Sequence, residues 1–83
     1  MTTGAETLTY ETQYRPGSRP VWLTSGRAQT VSTVATMGEL AERVLRDTLT
    51  TIDPYDSYEW RVLVWSGHGP YGTPVVRTER ELL

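Results

Sequence analysis

Thr36-Met37-Gly38-Glu39 starts the one long stretch of this chain that repeats with a helical period, and it fixes where the helix begins. The four residues have capping-box spacing. The Thr36 hydroxyl is placed to accept from the Glu39 backbone N–H, and the Glu39 carboxylate to accept from the Thr36 N–H. Met37, Leu40, Ala41, Val44, Leu45 and Leu49 then recur on one face. Glu39–Arg43 and Glu42–Arg46 are spaced four apart with the acid first, the favourable order. The spacing predicts an amphipathic helix at about 37–49, about 20 Å long at the usual rise. Thr50, Thr51 and Asp53-Pro54 are expected to stop it.

A single helix can cover one face of a sheet, so the segments around it decide the architecture. Residues 7–14 (TLTYETQY) alternate, with Leu8, Tyr10, Thr12 and Tyr14 on one side. Pro16-Gly17 breaks this run, and VWLTS at 21–25 and AQTVSTV at 28–34 read as two further strands. Gly26-Arg27 is predicted as a tight hairpin turn between those two strands. YEWRVLVWS at 58–66 is apolar on both faces. Tyr58, Trp60, Val62 and Val64 point one way, toward the helix, and Leu63 and Trp65 the other. A last strand is expected at 75–80, with Thr78 and Glu81 at capping-box spacing for a final helical turn. The predicted class is α+β: two layers, an antiparallel sheet of four to five strands in the order β-β-β-α-β-β, packed on one helix. Residues 1–6 are expected to be a disordered N-terminal tail and 7–83 a single domain.

Composition narrows the chemistry. A chain of 83 residues buries only about 60–65% of the surface its unfolded form exposes. Three Trp and five Tyr, with no Phe, supply much of the apolar area. With no Cys there is no disulfide, thiolate metal site or cysteine nucleophile. The first residues lack both a basic segment and an apolar run, so no secretory signal is read there, and a cytoplasmic location is expected. The net charge of −2, with interspersed charges, does not favour a polyanionic partner. All eight basic residues are Arg, and Lys and Asn are missing, a composition resembling that of GC-rich bacterial genomes such as those of actinobacteria.

Three segments raise the question of a site. Gly67, Gly69 and Gly72 in SGHGPYGTP spell G-x-G-x-x-G. In a phosphate loop the third glycine opens a helix, whereas here Thr73-Pro74-Val75-Val76 continues as strand, so a hairpin connection is expected. His68, the sole histidine, lacks an orienting acid and a neighbouring nucleophile, and reads as an exposed loop imidazole. Asp53 and Asp56 read as turn formers closing the helix. Tyr14, Arg15, Arg19, Trp22 and Arg27 make a basic, aromatic stretch that supports an alternative function, binding single-stranded nucleic acid.

The favoured function is non-catalytic protein binding, to a partner or to a second copy. If the helix covers Trp60, Val62 and Val64, then Leu63 and Trp65 lie on the opposite face. Trp22 or Leu23 joins them, depending on register. An open apolar face centred on Trp65 is the expected interface. No enzyme activity, metal or cofactor is predicted.

Overall fold

The computed structural model describes residues 4–17, 19–52 and 57–82. The elements are β1 (Glu6–Pro16), β2 (Leu23–Thr24), β3 (Gln29–Thr33), α1 (Met37–Thr51), β4 (Tyr58–Ser66), β5 (Val75–Thr78) and a closing 3₁₀ turn at Glu79–Leu82. The five strands form one antiparallel sheet with α1 against one side, the predicted α+β two-layer arrangement.

The long strand β1 organises the sheet. One edge pairs with β4 without interruption, from Leu8↔Ser66 to Pro16↔Tyr58. β5 then pairs with the far edge of β4. The other edge of β1 pairs with two strands in succession. β3 runs along its start, from Glu6↔Thr33 to Tyr10↔Gln29, and β2 along its end, at Gln13↔Thr24 and Tyr14↔Leu23. The Gly26-Arg27 hairpin expected from the sequence does not form, because β2 and β3 lie end to end on β1 and do not pair with each other. The four residues 25–28 stand opposite only Glu11 and Thr12, so the surplus bulges outward. Gly26 has φ +84° here, and the Ser25 N–H donates to the Thr12 carbonyl at 2.8 Å. The glycine serves the bulge instead of a turn.

The helix begins as its cap predicts. The Thr36 hydroxyl accepts from the Glu39 N–H at 3.1 Å, and the Thr36 N–H donates to Glu39 Oε1 at 2.9 Å. The Thr36 backbone N–H foremost, and then the Thr36 hydroxyl, hold the Glu39 carboxyl below its ordinary range. The helix runs two residues past the expected end. Thr48, Thr50 and Thr51 donate their hydroxyls back to the carbonyls of Val44, Asp47 and Thr48, one turn earlier. Ile52 then turns extended. The expected turn role of Asp53 and Asp56 lies outside the described residues, as do residues 1–3 of the predicted tail; Glu6, its last residue, is already paired in β1.

Leu40, Ala41 and Leu45 of α1 bury themselves against Leu8, Trp60, Val62 and Val64. The helix lies mainly over β4 and β5 and reaches β1 less. Tyr10, Tyr14 and Val31 are therefore only half-buried at the margin of the core. Beyond β5 the chain folds back, and Leu82 joins the helix-side core. The predicted final cap is weaker than a capping box: the Thr78 hydroxyl donates to the Glu81 carboxylate at 3.4 Å.

Candidate functional site

The sheet face away from α1 is the natural place to look for an interface, and its Trp65 end is covered. Thr9 and Trp65 are cross-strand partners on that face. The connection after β4 folds back over them. Thr9 Oγ1 donates to the Gly67 carbonyl at 2.7 Å and accepts from the Gly69 N–H at 2.7 Å. The Thr30 hydroxyl reaches the same oxygen at 3.2 Å. The Trp65 indole N–H donates to the Gly72 carbonyl at 3.3 Å. Trp65 is 7% exposed beneath this loop, and Leu63, between Glu11 and Val76 on the neighbouring strands, is 8% exposed. The open partner surface expected around Leu63 and Trp65 is therefore corrected: in a single chain these residues are interior. Nothing in the strand's alternation reveals this, because the cover comes from a loop whose path depends on one buried threonine.

Register also separates the other two members of that surface. Trp22 lies on the face away from α1, between two guanidinium groups. The Arg15 carbon lies 4.5 Å and the Arg61 carbon 4.1 Å from its ring centroid. Leu23 pairs with Tyr14 on the helix side and is 45% exposed.

The basic, aromatic stretch does not form one surface either. Arg15 pairs with Glu59 at 3.0 Å and its guanidinium also lies over the Trp22 ring, so both are already engaged within the chain. Arg61 donates to Gln13 at 2.8 Å, and Gln13 in turn bonds Glu11. Burial, then the nearby Arg15, pushes the Arg61 guanidinium below its ordinary pKa, with Glu11 opposing. Tyr14 stacks on the helix side against Tyr58 and Trp60, each at 5.2 Å. Arg19 and Arg27 are exposed.

The glycine loop is a connection, as expected. Gly67, Gly69 and Gly72 have φ of +88°, +104° and +86°. Its N–H groups turn inward: Gly67 donates to the Thr7 carbonyl, Gly69 to Thr9 and Tyr71 to the Gly69 carbonyl. Such a loop has few donors left for a phosphate. His68 is exposed, and no cluster able to hold a metal ion occurs among the described residues.

Two features that sequence reading missed remain open. The first is the outer edge of β3. The Thr7 carbonyl accepts on the β4 side and the Thr12 carbonyl on the β2 side. Successive residues of β1 therefore address opposite edges, and its even-numbered residues face β3. Val31, opposite Leu8, then turns its backbone to β1, and Thr30 and Ser32 turn theirs outward. The second is a cleft of about 480 Å³ where β5 stops short of the beginning of β4. Here the Trp60 N–H, which has no strand partner, donates to Glu79 Oε1 at 2.6 Å. The cleft draws residues from both ends of the chain, so no local motif marks it.

Comparison with protein-family models, curated proteins and solved structures finds no match to this chain. Among the described residues no helix is long and apolar enough to cross a membrane.

Proposed function

We propose that the chain is a non-catalytic protein-binding module that joins a second copy of itself through β3. The observation that carries this reading is the edge itself. Residues 29–33 read QTVST, with no charge and no proline, and their outward backbone groups at Thr30 and Ser32 have no strand partner among the described residues. Sheet edges are ordinarily protected by such residues, because an unprotected edge is a template for another strand. The opposite edge, β5, is so protected: it carries Arg77 and follows Pro74.

Self-pairing suits β3 in particular. About a two-fold axis at Val31, an antiparallel pair sets Thr30 opposite Ser32 of the second copy, with both backbone groups of each directed at the other. Val31 meets its own copy at the closer, non-hydrogen-bonded position on the helix side. No like charges meet anywhere along the pair. The half-buried Val31 becomes interior, and the sheet runs continuously through both chains.

The test is mass in solution across a concentration series. The wild type is expected to approach twice the chain mass as concentration rises. Ser32→Pro removes an outward N–H and leaves the β1 ladder intact, so it should stay at the mass of one chain with unchanged helix signal. A wild type that keeps the mass of one chain throughout contradicts the reading.

A further inference from the structure

The strand β3 is uncharged, but the two ends of its edge are not. Glu6 stands at one end, on β1 opposite Thr33. Arg27 stands at the other, in the bulge that leads into Gln29. Both residues are exposed, and neither forms a hydrogen bond or ion pair among the described residues. Carboxylates elsewhere along this edge have other partners. Glu39, which follows β3 in the helix cap, accepts from the Thr36 N–H, and Glu11, opposite the bulge, accepts from Gln13.

One edge therefore ends in an acid and begins beside a base. Two such edges set side by side in parallel bring like ends together. Set antiparallel, they bring Glu6 of each copy beside Arg27 of the other, twice over because the pairing is two-fold. About an axis at Val31, Thr33 stands opposite Gln29 of the second copy. Glu6 and that Gln29 then share a level, two strand spacings or about 10 Å apart. Arg27 is two residues before Gln29, in the segment that bulges away from its own β1 and so toward the other chain. An arginine and a glutamate side chain together cover that span.

We infer that Glu6 and Arg27 determine the specificity of self-association, each Glu6 carboxylate meeting the Arg27 guanidinium of the second copy. This rests on the β3 pairing proposed above and adds what selects the partner. The uncharged ladder supplies hydrogen bonds to any extended strand, whereas the charged ends match only an antiparallel copy of this chain. Exposed ion pairs are individually weak, so these two govern orientation and choice of partner more than affinity.

The test is a charge-reversal cycle on the full chain at low salt, with the self-dissociation constant read by sedimentation and the helix signal by circular dichroism. Arg27→Glu and Glu6→Arg should each weaken association at least about fivefold, since each turns two attractions into two repulsions. The double reversal should return to within about twofold of the wild type. Overall charge predicts a different pattern: the net charge is −2, so Glu6→Arg makes the chain neutral and would tighten association. Both residues are exposed, so the helix signal should not change in any variant. A wild type that associates and is held to one chain by Ser32→Pro, yet ignores both single reversals, overturns this inference and leaves the β3 pairing standing. So does tighter association of Glu6→Arg, or a double variant no tighter than the weaker single. A wild type that keeps the mass of one chain overturns the pairing and this inference together.

Discussion

Thr9 and Trp65 stand opposite each other on adjacent strands, and the loop that follows Trp65 is tied down by the Thr9 hydroxyl. That relationship turns the expected binding face into interior. It also makes Thr9, 1% exposed, the residue on which the loop depends. Thr9→Val keeps the shape and removes the hydroxyl, leaving the Gly69 N–H without its partner. A loss of about 1–3 kcal/mol is expected in urea unfolding. The freed loop should also expose Trp65 and shift tryptophan emission to longer wavelength. Thr9→Ser should retain most of both properties.

Trp65 and His68 should respond in opposite ways. Trp65→Ala removes a buried ring and should lower stability by about 3–5 kcal/mol, a large part of what a small domain has. His68 is exposed, so His68→Ala should melt within about 0.5 kcal/mol of the wild type. Similar thermal shifts for the two would contradict the placement of the loop.

The helix was legible because capping and period are local. Thr36 and Glu39 meet within one turn, and Leu40, Ala41 and Leu45 fall on one face whatever the rest of the chain does. The strand at 58–66 was legible for the same reason, and Trp60, Val62 and Val64 of its helix-facing side enter the core, while Tyr58 at its start is exposed. Pairing was not, since it joins residues far apart. The same Gly26 suits a hairpin turn or a bulge, and only the register of Leu23 and Gln29 on β1 distinguishes them. Trp65 looked open because alternation places it opposite the helix. Its cover depends on Thr9, 56 positions earlier, and no period in either segment connects the two.

The capping box gives a pH dependence whose sign follows from Glu39. Its folded pKa is lowered, so the charged carboxylate stabilises the helix above the unfolded value, about 4.3 for Glu. That contribution is lost as pH falls through the folded value. Glu39→Gln still offers an oxygen to the Thr36 N–H but cannot titrate. The variant should melt below the wild type at pH 7, and the gap should close in acid. A gap that persists under strongly acidic conditions would show that the charge at this position is not responsible.

Trp22 fastens the short strand β2 through Arg15 and Arg61. Trp22→Leu keeps an apolar side chain and removes the ring face, and should cost about 1–2 kcal/mol. Leu23→Ser, at an exposed position on the other side, should cost less. The reverse order would place the anchor of β2 on the helix side.

Self-association through β3 is tested most directly by amide hydrogen exchange at Thr30 and Ser32. In one chain both N–H groups point away from β1 and exchange freely, whereas in the paired sheet each donates to the second copy. Exchange at these two amides should slow as protein concentration rises, with Val31, already bonded to β1, changing little. Fast exchange at Thr30 and Ser32 at every concentration would contradict the proposed edge-to-edge binding.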